Sequence, residues 1–285
     1  MPDRDKRPVI TAAQIDGSTK SIAIPANAII TPAARDRAEQ LGVKLIKDTT
    51  AKGPTSSPAP TPSTGSTQIN IEDFVRHIDH TNLSPTATRQ DISRLCEEAR
   101  TLGCAAVCVL PVHVTLAAEL CAATQTRVCS VVGFPSGGHR TDVKVEEAAR
   151  AVSDGAHEID MVASHALLLR NDLSAYTADI SRVRQAIGDS ITLKVIIEAS
   201  EIGDENIVRA SLAAEHAGAD YVKTSTGVYG HARPDDVRLM RQVLQPTTRI
   251  KAAGRIKTAD FARQLIAAGA DRLGMSRTLE IVKEF

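Results

Sequence analysis

From Ile69 onward, short runs of β-branched and other apolar residues alternate with longer, mixed polar and apolar stretches. The strand-like runs are Val75–Asp79, Ala105–Leu110, Arg127–Gly133, His157–Val162, Thr192–Glu198, Asp220–Lys223, Arg249–Ala252 and Asp271–Leu273. Helical stretches are predicted over 86–102, 112–124, 142–154, 172–187, 204–217, 234–244, 258–268 and 276–284. Eight such units in succession predict an α/β fold of the (β/α)8 TIM barrel type, compact for that fold. The competing architecture is an open, doubly wound sheet. It ranks second because no Gly-rich dinucleotide fingerprint follows an early strand and because the units number eight.

The first fifty residues read differently, as a small N-terminal module (1–50) preceding a linker (51–68) and the barrel (69–285). Ser21–Pro25 and Val43–Ile46 are short strand candidates. Between them Thr31 supplies an N-cap, Pro32 the first helical position and Gly42 a stop, with Ala33, Ala34, Arg37, Ala38 and Leu41 along one side. A piece this small seldom buries enough surface to stand alone, which points to a partner surface. Ala51 to Thr67 is built almost wholly from Ala, Gly, Pro, Ser and Thr, the composition of an extended, solvated tether. A disordered tail is the commoner meaning of such composition. The helix caps beyond it favour a tethered docking or targeting element.

Composition narrows the function. Lys+Arg and Asp+Glu both number 34, so no global basic field points to nucleic acid. Aromatic residues are 2% of the chain and Trp is absent, which leaves few platforms for stacking bases. The five cysteines form no CxxC pair and are an odd number, so they read as buried hydrophobes in a reducing compartment rather than as disulfides or a zinc site. No apolar signal segment or run of about 18 apolar residues occurs, so a cytoplasmic protein without a membrane partner is expected.

Chemistry concentrates where strands end. In Gly218–Gly230, GADYVKTSTGVYG, a short strand delivers Lys223 into a Thr/Ser/Gly loop. Lys251 ends the next strand, and Asp160 lies near the end of the fourth. In a barrel these positions converge on one mouth. Two ammonium groups held close in low dielectric cannot both stay protonated cheaply, and the one under greater pressure becomes an amine able to attack a carbonyl. An ion pair at a strand end is the plain alternative for Lys251 and Asp160. Thr226, Gly227, Gly254, Gly274 and Ser276 lie in loops after strands six, seven and eight, where backbone N–H groups can approach an anion, and Ser276 is also placed to open the last helix.

GADYVKTSTG, IKAAG and EIDMV, in that family's order, resemble the signature segments of deoxyribose-phosphate aldolases. The resemblance runs from about Ile71 to the C-terminus. It implies a class I aldolase, free of metal and cofactor, that reversibly cleaves 2-deoxyribose 5-phosphate to glyceraldehyde 3-phosphate and acetaldehyde. Lys223 would form the Schiff base, Lys251 would lower its pKa and Asp160 would relay protons. Ile78-Asp79-His80-Thr81 matches the family's early segment, so Asp79 and Thr81 would orient a substrate hydroxyl or support the lysine. Cys108 matches the family's cysteine on strand two and would line the site. On strand five, Glu198 is expected at the mouth and Lys194 farther back. A homodimer or other small homo-oligomer is implied as well. The ITPAARDRAEQLGVKLI segment resembles short motifs on proteins of bacterial microcompartments, which would give residues 1–50 a shell or core partner there.

Two positions depart from the family's pattern. Arg255 stands where a second glycine usually follows strand seven, and Arg277 where a serine often follows Ser276. Arginines there would replace backbone donors with bidentate charged contacts, or refit the site to a different acid. A related Schiff-base aldolase acting on another phospho-sugar therefore stays open, as does a non-catalytic barrel with a targeting role.

Overall fold

The computed structural model describes residues 8–10, 14–25, 28–48 and 70–285. The linker expected over 51–68 lies outside the described residues. Contacts separate two compact units, Met1–Gln68 and Ile69–Phe285. Among the described residues no helix is long and apolar enough to cross a membrane.

The larger unit is a closed, wholly parallel barrel. Its strands are β1 (Ile78–Asn82), β2 (Ala106–Val109), β3 (Arg127–Val132), β4 (Glu158–Val162), β5 (Thr192–Ile196), β6 (Tyr221–Lys223), β7 (Arg249–Ala253) and β8 (Arg272–Met275). Each pairs with its successor and β8 pairs with β1, which rules out the open sheet. Parallel strands covered by helices are buried on both faces, and β2, β4 and β6 are buried at every position.

A recurring sequence device sets where strands begin. Gly155-Ala156-His157, Gly218-Ala219-Asp220 and Gly269-Ala270-Asp271 precede β4, β6 and β8. Each glycine has positive φ (107°, 91° and 111°), a turn that side-chain-bearing residues rarely adopt, and so releases the chain from the preceding helix. Each alanine is buried. The third residue then accepts the first free N–H of the neighbouring strand: His157 Nδ1 from Val128 at 3.1 Å, Asp220 Oδ2 from Leu193 at 2.8 Å, and Asp271 Oδ2 from Ile250 at 2.8 Å.

The first strand begins later than its apolar run suggests. Ile71–Val75 is a helix, capped by Asn70 accepting from Asp73 N and carrying Glu72 and Asp73 in its first turn. The apolar Phe74 and Val75 are its buried face. The last helix is Thr278–Val282 with Arg277 at its N-cap, so Ser276 precedes it rather than opening it. Two short helices, His165–Leu169 and Ala199–Ile202, interrupt the loops after β4 and β5.

In the smaller unit Ser21–Pro25 pairs in parallel with Lys44–Asp48, and Val9–Ile10 with Ile29–Ile30. The helix Pro32–Gln40 is capped by Thr31 accepting from Ala34 N, as its sequence predicts. Ala34, Ala38, Val43 and Ile15 form a small core, with Ile10, Ile22, Ile30 and Leu45 packed against it. Arg37 is exposed and Leu41 is 36% exposed, so the buried stripe is narrower than the sequence pattern implied.

Candidate active site

Inside the barrel the strands deliver charges to one depth. Lys223 and Lys251 are aligned partners on β6 and β7, and Asp160 and Lys194 are aligned on β4 and β5. Asp160 is fully buried and accepts from all three lysines: Oδ2 from Lys223 Nζ and Lys251 Nζ, both at 2.7 Å, and Oδ1 from Lys194 Nζ at 2.9 Å. The Lys223 and Lys251 nitrogens are thus no farther apart than those two bonds laid end to end. Lys251 also donates to Asp79 Oδ2, while Arg272 donates to Asp79 Oδ1 at 2.6 Å. Glu158 completes the cluster 2.5 Å from Lys194 and 3.4 Å from Arg272.

Burial alone would push Asp160 toward its neutral form, but the three lysines outweigh it and hold the carboxyl well below the usual range. Asp79 is likewise lowered, burial being overcome by Lys251, Arg272 and Lys194. Burial also works against the charged forms of Lys251 and Lys194. Their carboxylate partners more than reverse it and raise both above an ordinary lysine, so these two stay cationic.

Above the cluster opens a pocket of about 710 Å³. Of the three clustered lysines only Lys223 lines it. Thr81, Thr226, Gly227, Gly254, Arg255, Gly274 and Ser276 line it as well, together with Lys257 and Arg277. Asp79 and Cys108 do not. Asp79 is buried beneath Lys251, and Cys108 packs with Ala106, Cys129 and Val131. Among the described residues two groups have ligand atoms close enough for a metal, Cys108/Cys129/Asp160 and Asp79/Cys129/Glu158, each within 4.8 Å of one another. Lysine ammoniums already occupy those carboxylate oxygens, and their charge opposes a further cation.

Residues 74–282 match the family model described as DeoC/LacD family aldolase. The chain belongs to the DeoC/LacD aldolase family. It is 45% identical over 217 residues to the deoxyribose-phosphate aldolase of Aciduliprofundum boonei, covering 75% of this chain and 98% of that protein. It is 47% identical over 200 residues to deoxyribose-phosphate aldolase 1 of Cutibacterium acnes, 70% of this chain and 92% of that one. A solved structure, described as a unique tetrameric deoxyribose phosphate aldolase from Aeropyrum pernix, superposes with a TM-score of 0.71 at 33% identity, covering 76% of this chain and 92% of that one.

In this aldolase the loop after Lys223 is fixed by its own polar residues. Ser225 Oγ donates to Ala253 O at 2.5 Å, and Thr224 Oγ1 accepts from Ala253 N at 3.1 Å, tying the end of β6 to the end of β7. Gly227 and Gly254 meet there. A side chain on Gly254, at φ +97°, would lie 2.9 Å from His231 Cα and 3.1 Å from Gly227 Cα. Gly274 serves the lysine directly, since a Cβ there would stand 3.1 Å from Lys251 Cε.

Glu198 follows β5 toward the mouth and Lys194 lies farther back on the strand, as expected from the sequence. Lys194 is in the charge cluster, whereas Glu198 Oε1 accepts from Thr226 N at 3.1 Å and Gly230 N at 3.0 Å, clamping the pocket loop. Glu158, Lys194 and Arg272 were missed as site residues. Side chains alternate along a strand, so Glu158, two before Asp160, necessarily shares its face. A charge inside an otherwise apolar run such as LKVII was the signal available.

The Glu198 clamp is testable. Glu198→Ala leaves two buried N–H groups unpaired, and should cost about 2 kcal/mol in denaturant unfolding and raise KM severalfold. Glu198→Gln keeps an acceptor and should recover most of both; equal damage from the two variants would refute the clamp.

Proposed function

We propose that this chain is a deoxyribose-phosphate aldolase in which Lys223 is the imine-forming residue, Lys251 the adjacent cation and Asp160 the proton-relaying carboxylate. The observation that carries the reading is the exposure of one amine of a buried trio to the pocket. Lys194, Lys223, Lys251 and Arg272 face three carboxylates, Asp79, Glu158 and Asp160, so the cluster holds one cation in excess. Loss of one proton balances it. Carboxylates hold Lys194 and Lys251 protonated, and Lys223 is the amine a carbonyl can reach.

The chemistry follows. The C1 aldehyde of 2-deoxyribose 5-phosphate condenses with Lys223 and loses water. The C3 hydroxyl then yields its proton as the C2–C3 bond breaks. The electron pair passes through C2 and C1 to the imine nitrogen, which serves as the electron sink, giving an enamine and glyceraldehyde 3-phosphate. Protonation at C2 and hydrolysis release acetaldehyde and restore the lysine. Asp160 Oδ2, 2.7 Å from both Lys223 and Lys251, is placed to shuttle the protons.

The phosphate end falls to Arg255 and Arg277, with the glycine loops beside them. Arg255 has φ +58°, a left-handed backbone that costs a non-glycine residue about 1 to 2 kcal/mol. A residue in this costly conformation that lines the pocket supports a binding role. The same feature favours, as a second reading, a related phospho-sugar as the natural substrate. Residues 1–50 are read as a docking element, supported by their own small core and capped helix, with a microcompartment component as the partner class.

Borohydride treatment with 2-deoxyribose 5-phosphate should leave a reduced adduct that peptide mass mapping places on Lys223; an unmodified, folded protein would overturn the assignment. Arg255→Gly should raise KM for the phosphorylated substrate at least tenfold, with kcat little changed, while relief of the left-handed strain stabilises the fold by up to about 1 kcal/mol. An unchanged KM sinks the phosphate role. Removing residues 1–67 should leave kcat and KM within twofold of the full chain; a collapse of activity would mean that the module serves the barrel rather than an external partner.

A further inference from the structure

The geometry points to Lys194 as a positioning residue for the aldol chemistry. It fixes Asp160 through one carboxylate oxygen so that the other is presented to Lys223 and Lys251. The inference rests on the lysine assignment above and adds a residue to it.

The two oxygens of Asp160 have separate partners. Oδ1 accepts from Lys194 Nζ at 2.9 Å and from the Cys129 thiol at 3.1 Å. Oδ2 accepts from Lys223 and Lys251, each at 2.7 Å. No partner is shared, so the carboxylate plane is set from one side and used from the other. Lys194 is in turn held by Glu158, 2.5 Å away, and Glu158 is within 3.4 Å of Arg272. Lys194 is fully buried and does not line the pocket, so it acts on substrate only through Asp160.

This division matters once the imine has formed. Lys223 then no longer offers Oδ2 an ammonium, and a carboxylate anchored only by Lys251 would be free to turn away from the carbon whose proton it handles. The Oδ1 contacts survive that step unchanged. They keep Oδ2 aimed while the C2–H bond breaks, its electron pair forms the enamine double bond and its proton passes to Oδ2.

Two partial reactions separate positioning from general damage. Borohydride trapping with acetaldehyde reads imine formation on Lys223, and exchange of the acetaldehyde methyl protons in D2O reads the relay. Lys194→Met removes the cluster's excess cation and should slow adduct formation by up to about tenfold, but exchange measured per trapped adduct should fall by a further factor of about thirty or more, the scale on which misplaced groups lose rate. Cys129→Ala removes the second contact and should slow exchange by about fivefold, with Cys129→Ser restoring it. Should Lys194→Met fail to fold, the cysteine pair decides: exchange unaffected in Cys129→Ala, or equally slow in Cys129→Ser, overturns the inference. Parallel loss of adduct and exchange in folded Lys194→Met also overturns it, since that marks a structural role. Wild-type protein treated alongside distinguishes the two levels. No adduct there overturns the lysine assignment and this inference with it, whereas a normal wild-type adduct confines any failure to Lys194.

Discussion

Three lysines share one buried carboxylate, and the rest of the site is arranged to make that tolerable. An unpaired charge at this depth would cost several kcal/mol, and a buried pair returns that cost only when geometry and further hydrogen bonds are good. Asp160 alone cannot neutralise three ammoniums. Asp79 and Glu158 supply the remaining negative charge, and Arg272 bridges both. Each is delivered by a different strand or a different turn of the pleat, so the network exists only in the closed barrel. Opening the sheet between β8 and β1 would part Lys251 and Arg272 from Asp79, across the strands where the barrel closes.

The closure in turn rests on local devices that have no chemistry of their own. The Gly-Ala-Asp and Gly-Ala-His turns set the first residue of β4, β6 and β8 and tie each strand to its predecessor. A one-residue slip would rotate every side chain to the other face. Lys223 would then point toward the helices rather than the pocket. Placement of Lys223 is therefore a matter of where the strand starts, two residues before it.

Much of this was legible in the sequence. Eight alternating units gave the barrel, and Lys223 stood out because a charge ends an apolar run, while Lys251, expected to end β7, sits in the middle of that strand. Lys194 stayed hidden because it sits within its run, and Glu158 because it begins one, where a search at the far ends of strands does not look. Arg272 was hidden for a related reason: it begins β8 as an ordinary surface arginine would, and only closure turns it inward. Val75 was misread because a single helical turn followed by a strand presents one continuous apolar run, and five residues do not establish a period.

The two ends of the pocket treat positive charge in opposite ways. At the floor every cation has a carboxylate within hydrogen-bonding distance, and the cations outnumber the carboxylates by one. At the rim Arg255, Lys257 and Arg277 are exposed and, among the described residues, have no ion-pair partner. Elsewhere on the rim Arg94 is paired with Asp91 at 3.0 Å. Uncancelled cations in solvent cost little while empty and attract an anion strongly once it excludes water. A substrate that is carbonyl at one end and anion at the other would satisfy both ends in a single orientation, with its carbonyl at the lysine we propose as the imine-forming residue.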